Sequence, residues 1–190
     1  MPDHYMRNAA PLVCSVVGAF LLFPLAADAQ SDPVRRLGPA IGAHLGFTTI
    51  EKADNTIEAG VYADVGSVRW ERMRVIIGVD YLSSSSTRSG ADGSFNDVTL
   101  NGDLRYKPFN ISGVTPYIGA GLGIHVRSTD ATNPLIKDIY DGIAVGVNVF
   151  GGALVDLSED GRTGALGELR RVQAQNVNRT AFRLGMFFRF

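Results

Sequence analysis

The 190-residue sequence contains a single cysteine, Cys14, and this scarcity excludes several kinds of protein. Cys14 lies within an N-terminal apolar segment that we expect to be removed from the mature chain. Without that segment the protein has no thiol, so it can use neither a disulfide framework nor a cysteine nucleophile. The sequence also lacks a His, Cys and Asp cluster with metal-ligand spacing, and we predict no metal and no cofactor.

The sequence also has no surplus of either charge, since 18 Lys and Arg residues face 19 Asp and Glu residues. A nucleic-acid-binding surface needs a basic excess, so we predict that nucleic acid is not a partner. After the first thirty residues no run of eighteen apolar residues occurs. An exported chain of this kind is either soluble or a closed β-barrel, because only those forms satisfy its backbone hydrogen bonds.

The N-terminus has the three parts of a secretory signal peptide. Arg7 precedes an uncharged apolar stretch from about residue 9 to residue 25, and Ala27 and Ala29 then form a small-x-small cleavage site. A membrane-spanning helix is the alternative, but Pro24 interrupts the run and no stop-transfer pattern follows. The sequence therefore divides into a signal peptide, residues 1–29, and a mature domain, residues 30–190.

The C-terminal segment alternates apolar and polar side chains in the manner of a β-strand. One side of residues 180–190 carries three phenylalanines, a leucine and a methionine, whereas Arg183 and Arg189 lie on the other side. A chain end in water is usually polar and frayed, but this one carries large aromatic residues. About ten residues with one apolar side is the pattern of a transmembrane β-strand.

The same two-residue period recurs in seven earlier segments. The seventh, over about residues 162–172, is the least regular, and its register could slip by one residue. With the terminal strand the total is eight, an even number that brings both chain ends to one side of a closed sheet. We therefore predict an all-β fold, namely an eight-stranded antiparallel transmembrane β-barrel. The earlier segments begin near Ile41, Ile57, Met73, Val98, Pro116, Ile143 and Arg162.

The connections between these segments differ in length and composition. Residues 83–96 and 128–141 form long polar connections, which we expect to face the cell exterior and to offer possible surface ligands a contact. Aromatic residues near the segment ends suit the headgroup region of a membrane, and their predicted role is structural. These girdle residues are Trp70, Tyr81, Tyr106, Phe188 and Phe190.

Residues 100–108, residues 114–124 with their Pro-Tyr-x-Gly-x-Gly-x-Gly pattern, and the terminal Phe190 together carry a family resemblance. The chain resembles the small outer-membrane β-barrel proteins of the OmpA-barrel, OmpX and OmpW type. The resemblance implies the outer membrane of a Gram-negative cell as the location, with outer-membrane lipid and lipopolysaccharide around the barrel. It also implies that Phe188 and Phe190 serve as the assembly signal read by the outer-membrane assembly machinery.

Across the eight segments, charged residues of both signs collect on the side that should face the barrel interior. Because an eight-stranded barrel is narrow, such side chains would fill it and pair with one another. Two functions remain open on this pattern, a salt-bridged structural plug and a narrow path for ions. The predicted lumen charge network consists of Glu58, Asp64, Arg72, Arg74, Asp80, Asp103, Arg105, Lys107, Arg127, Glu168, Arg170 and Arg183, and His44, His125 and Arg189 share its side.

An enzyme is a further alternative, because some barrels of this type modify lipid A with a serine and histidine pair near the outer rim. His125 and Ser128 lie at the outer end of the fifth segment, but a spacing of three places them on opposite faces of a strand. We therefore predict no catalytic residue and no enzyme. The predicted function is a structural and surface-interaction role in the envelope, with a narrow pore for ions or small apolar solutes as the alternative.

Overall fold

The computed structural model of the protein describes residues 38–51, 55–86, 93–130, 141–175 and 177–190. The predicted signal peptide, with Ala27 and Ala29, lies outside the described residues. Within the described ranges, no helix is long and apolar enough to cross a membrane. The chain there forms eight strands: β1 Ala40–Ile50, β2 Thr56–Ser67, β3 Met73–Ser86, β4 Gly93–Tyr106, β5 Val114–Thr129, β6 Gly142–Asp156, β7 Thr163–Ala174 and β8 Val177–Arg189.

The eight strands form a closed antiparallel barrel in which each strand pairs with its neighbours in the sequence. The last strand returns to the first, and the pairs between them run from Ala40 with Arg189 to Ile50 with Arg179. This arrangement confirms the predicted fold class. Both described chain ends lie at one end of the barrel, which we call the inner end, and the connections β3–β4 and β5–β6 lie at the outer end.

The side chains alternate between a lipid-facing exterior and a buried interior, as the sequence period predicted. On β8, Phe182 and Leu184 are exposed whereas Arg183 is buried. The register of β7, which the sequence left open, places Leu169 outside and its neighbour Glu168 inside. The apolar exterior therefore extends around the strands, as a sheet in hydrocarbon requires.

The aromatic girdle residues lie on the exterior of the barrel. Trp70 is exposed in the turn between β2 and β3, where the guanidinium of Arg69 lies 5.6 Å from its ring centroid. Phe188 and Phe190 are exposed at the inner end, with ring centroids 5.5 Å apart in an edge-to-face arrangement. These positions suit rings that belong at the membrane interface.

The two long connections contain more strand than the sequence predicted. In the first, β3 continues to Ser86 and β4 begins at Gly93, so much of the polar segment 83–96 pairs as a ladder. In the second, β5 continues to Thr129 and β6 begins at Gly142. The ends of these strands have no apolar face, so the sequence shows no alternation of apolar and polar residues there. The prediction from that alternation therefore ended the strands too early. The remaining residues, 87–92 and 131–140, lie outside the described residues.

Glycines on the inward face leave room for large interior side chains. A Cβ atom at Gly119 would lie 2.2 Å from Cζ of Phe150 and 2.5 Å from the carbonyl oxygen of Leu104. A Cβ atom at Gly121 would lie 2.1 Å from a carboxylate oxygen of Asp103. The alternate glycines of β5 therefore permit dense packing in the interior.

We predict that Gly119→Val destabilises the barrel by about 1–3 kcal/mol, because the interior cannot accept the added atoms without displacing Phe150 or backbone. The matched control is Gly102→Val, since Gly102 faces outward and a Cβ there meets nothing within 4 Å. Urea unfolding in lipid vesicles, followed by the fluorescence of the single tryptophan, measures both variants. Equal destabilisation by the two variants would contradict the proposed packing.

Candidate functional site: the barrel interior

Arg183 on β8 joins acidic side chains from three other strands at the centre of the barrel. Its Nε atom donates a hydrogen bond to Glu58 on β2. Its Nη2 atom donates to Oδ2 of Asp80 on β3 at 2.6 Å, and its Nη1 atom lies 3.6 Å from Oε1 of Glu168 on β7. One guanidinium therefore compensates three buried carboxylates, which would be costly to bury alone.

Arg170 on β7 forms a second bridge across the interior. Its Nη2 atom donates to Oδ2 of Asp103 on β4 at 2.7 Å, and its Nε atom donates to Oε1 of Glu168 at 2.8 Å. The same guanidinium lies 4.2 Å from the ring centroid of Phe150. Glu168 is thereby shared between Arg170 and Arg183, so the two bridges form one network.

The network continues through an amide, an imidazole and a phenol on neighbouring strands. The amide of Asn101 donates to Oδ2 of Asp80 at 2.9 Å, and Nε2 of His44 lies 3.2 Å from Oδ1 of the same carboxylate. The hydroxyl of Tyr117 donates to Oε2 of Glu168 at 3.0 Å. These contacts help the arginines to hold the carboxylates of Asp80 and Glu168 in position.

A second cluster of polar side chains lies at the inner end of the interior. Nε of Arg74 lies 2.7 Å from Asp64, and Nζ of Lys107 lies 3.6 Å from the same carboxylate. Arg189 donates to Oδ1 of Asp156 and to the carbonyl oxygen of Gly161, both at 2.6 Å. These contacts join β2, β3, β6 and β8 where the chain enters and leaves the sheet.

A third cluster of polar side chains lies toward the outer end, around the buried His125. Nδ1 of His125 lies 2.9 Å from Oδ2 of Asp97 and 3.0 Å from Oγ1 of Thr99. Nη1 of Arg179 donates to Oδ2 of Asp97 at 3.0 Å. The predicted network omitted Asp97 and Arg179 because both precede the apolar alternation of their strands. Their parity with Asp103 and Arg183 was the signal that could have identified them.

The interior contains all but one of the side chains in the predicted charge network. Arg72 is the exception, because it is exposed in the turn before β3, and its predicted place in the interior was wrong. Arg127 lies at the outer end, where its Nη1 atom donates to the carbonyl oxygen of Gln175 at 2.6 Å. The residues placed inside are Glu58, Asp64, Arg74, Asp80, Asp103, Arg105, Lys107, Arg127, Glu168, Arg170 and Arg183.

Two apolar clusters flank the central network, and sequence reasoning missed both. The order is visible along β8, whose inward side chains include Val177, Arg179, Arg183, Phe187 and Arg189 from the outer to the inner end. The outer cluster consists of Ile50, Leu82, Phe95 and Val177. The inner cluster consists of Tyr62, Ile76, Tyr117, Phe150, Leu154, Leu166 and Phe187. The central charges are therefore separated from both ends of the barrel by apolar side chains.

Little free volume remains at the centre. A cavity of about 20 Å³ lies among the side chains of Tyr62, Asp80, Asp103 and Arg105. A cavity of this size holds roughly one water molecule. The guanidinium of Arg105 stacks 4.3 Å from the ring centroid of Tyr117 and fills the space beside it.

The candidate catalytic pair is not brought together. His125 points into the interior, whereas Ser128, three residues further along β5, is exposed on the outside of the sheet. A nucleophile and its base need to lie within hydrogen-bond reach, which opposite faces of one strand prevent. Among the described residues, no group of three or more His, Cys, Asp or Glu side chains could hold a metal ion.

Comparison with known proteins gives a family and a set of similar folds. The sequence model of a protein family, the outer membrane protein beta-barrel domain, matches residues 15–190. No curated protein matches the sequence. Among solved structures, Neisserial surface protein A is 17% identical with a TM-score of 0.60, and the match covers 80% of this chain and 97% of that one.

Two further solved barrels share the fold. Ail, the attachment invasion locus protein of Yersinia pestis, is 11% identical with a TM-score of 0.53, and the match covers 80% of this chain and 96% of that one. The outer membrane enzyme PagL is 13% identical with a TM-score of 0.52, and the match covers 80% of this chain and 99% of that one. At such identities the likeness concerns the fold, which serves enzymes and other proteins alike.

We predict that Arg183→Met destabilises the barrel by about 3–5 kcal/mol, because the loss leaves Glu58 and Asp80 buried with reduced compensation. The double variant Arg183→Met, Glu58→Gln should recover part of that loss, since it removes one of the uncompensated charges. The control is Arg162→Met at an exposed arginine in the β6–β7 turn, for which a change below about 0.5 kcal/mol is expected. Urea unfolding in vesicles gives the three values, and an effect of Arg183→Met as small as that of the control would refute the network.

Proposed function

Because the chain belongs to the outer membrane protein β-barrel family and lies in the outer membrane, we propose that it is a non-conducting barrel that presents two extended hairpins at the cell surface. Its role is structural and interactive within the envelope. The observation that carries the proposal is the filling of the interior. Ion pairs occupy the centre, and apolar clusters lie on both sides of them.

The filled interior favours a plug over a channel. Conduction needs a continuous polar path with room for an ion and its water. The outer and inner apolar clusters each interrupt the polar groups, and the central cavity of about 20 Å³ accommodates roughly one water molecule. Movement of an ion would also have to break pairs such as Arg170 with Asp103, whose atoms lie 2.7 Å apart.

The strand lengths support presentation at the surface. Strands β3 to β6 contain 14, 14, 16 and 15 residues, whereas β1, β2, β7 and β8 contain 11, 12, 12 and 13. Since β3 pairs with β4 as far as Ser86 and Gly93, the additional residues extend a rigid ladder at the outer end. A rigid support positions connecting residues for contact with a partner. Surface ligands would meet the chain around residues 83–96 and 128–141.

The proposal extends to the inner end of β8, where Phe188 and Phe190 form the assembly signal for the outer-membrane assembly machinery. Their exposed rings support this role, because an insertion factor can reach them before lipid covers the exterior. Phe187, which directly precedes Phe188, points inward and packs in the inner cluster. The two faces of this strand end therefore have different functions, recognition outside and packing inside.

We predict that the purified barrel in planar lipid bilayers shows no unitary current at either polarity, because the interior offers no continuous polar path. A trimeric porin reconstituted in parallel shows that the bilayers detect channels. Defined current steps that disappear after Asp103→Asn or Arg105→Gln would overturn the plug and establish the narrow pore in its place. A fold check by heat-dependent gel mobility accompanies each variant.

We also predict that trypsin added to intact cells cleaves after Arg88 or Lys137, in the two long outer connections. Arg69, Arg72 and Arg162 lie in inner turns, and they should be spared until the outer membrane is permeabilised. Fragment masses distinguish these positions. Cleavage confined to the inner turns of intact cells would reverse the proposed orientation and with it the presentation of the hairpins.

A further inference from the structure

Among the charged side chains on the described parts of the eight strands, Arg171 on β7 alone points to the outside of the barrel. Its neighbour Arg170 is buried in the central network, and the alternation of the strand places Arg171 on the opposite face. A charge that faces lipid is costly, and such residues usually mark a function. Arg171 therefore needs a partner on the exterior of the barrel.

Arg171 is the centre of a polar cluster on the exterior of β7, β8 and the end of β1. Its Nη1 atom donates to Oγ1 of Thr180 at 2.9 Å, and its Nη2 atom donates to Oε1 of Glu51 at 2.5 Å. The amide of Asn178 donates to Oε2 of Glu51 at 3.0 Å. We call these four residues the exterior polar cluster. Hydrogen bonds hold it together, yet the side chains of Arg171 and Glu51 remain 37% and 50% exposed.

The exterior polar cluster lies beside exposed apolar residues that suit contact with lipid. Arg171 pairs across the sheet with Val149 of β6, which is exposed. Beyond Val149 toward the outer end, β6 continues with exposed Val147, Val145 and Ile143. The apolar exterior therefore reaches further outward on β6 than on β7, where the polar residues begin at Arg171. The edge of the apolar exterior is therefore set back at β7 relative to β6, and the exterior polar cluster occupies this recess.

We propose that this recess binds the phosphorylated sugar headgroup of lipopolysaccharide in the outer leaflet. The acyl chains of a lipid cannot hydrogen-bond the exposed part of the Arg171 guanidinium, so the lipid groups beside it must be polar. A guanidinium pairs with phosphate through charge-assisted hydrogen bonds in a fork geometry. Asn178 and Thr180 supply the amide and hydroxyl groups that bind sugar hydroxyls.

The position of the recess supports a lipid over a protein partner. Exposed Leu169 precedes Arg171 on β7, and exposed Phe182 follows Thr180 on β8, so acyl chains have an apolar surface directly below the cluster. A molecule with a phosphorylated polar head above apolar chains matches this order of surfaces along the strands. The inference rests on the outer-membrane location of the barrel and is independent of whether its interior conducts.

The test compares full mature protein, folded in detergent, for binding to purified lipopolysaccharide by native mass spectrometry. Arg171→Gln keeps a hydrogen-bond donor but removes the charge, and we expect about a tenfold loss of affinity. Arg171→Lys keeps the charge without the fork and should lose less. The matched control is Arg162→Gln, which removes an exposed arginine at the inner end and should bind like the unaltered protein.

Three lipid probes decide between the possible sources of binding. Lipopolysaccharide stripped of its phosphates should bind about as weakly to the unaltered protein as intact lipopolysaccharide binds to Arg171→Gln. Equal binding of phosphatidylglycerol, with the same dependence on Arg171, would overturn the assignment to a glycolipid. Unchanged affinity of Arg171→Gln would overturn the site itself. A dimer that Arg171→Gln dissociates without lipopolysaccharide would assign the cluster to contact between copies of the chain and overturn the proposal.

Discussion

The absence of water from the hydrocarbon of a membrane is the constraint on which this structure depends. Each backbone N–H and C=O group within the bilayer must pair inside the sheet, and the seam between β1 and β8 removes the two edges that an open sheet would leave. Closure with eight strands makes the interior narrow. Every inward side chain must therefore find its partners within a small volume, and the character of the interior follows from that requirement.

The inward side chains find these partners by forming layers along the barrel axis, with a charged layer between two apolar ones. Charged groups pair at the centre, and the apolar clusters at either side bury them, which strengthens each pair while adding to the cost of burying it. Arginines join the layers, because their guanidinium planes stack on aromatic rings while their donors reach carboxylates. Arg105 on Tyr117 and Arg170 on Phe150 illustrate this arrangement, with distances of 4.3 and 4.2 Å to the ring centroids.

The two-residue period predicted strand number, closure and the parity of most residues, because lipid outside and packing inside impose opposite demands on alternate positions. It did not predict strand ends. Arg72 lies one residue before β3 and so leaves the interior, whereas Asp97 enters it because β4 begins earlier than the apolar alternation shows. Phe187 has the parity of the arginines, and an apolar residue on a polar face carries no signal of its own. Which charges pair was also unpredictable, since partners such as Asp103 and Arg170 come from strands distant in the sequence.

Because the alternation of charged and apolar residues is so regular, its exception, the outward-facing Arg171, indicates a function. Had charges been scattered over both faces of the strands, an outward arginine would carry no information. Lipid, however, penalises charge on the exterior of the barrel, most strongly at the middle of the bilayer, and the charged residues of this chain lie almost entirely in the interior. The sequence shows Arg170 and Arg171 only as adjacent arginines. The register of β7, set by Glu168 inside and Leu169 outside, turns one into part of the central network and the other into a group that the membrane itself must accommodate.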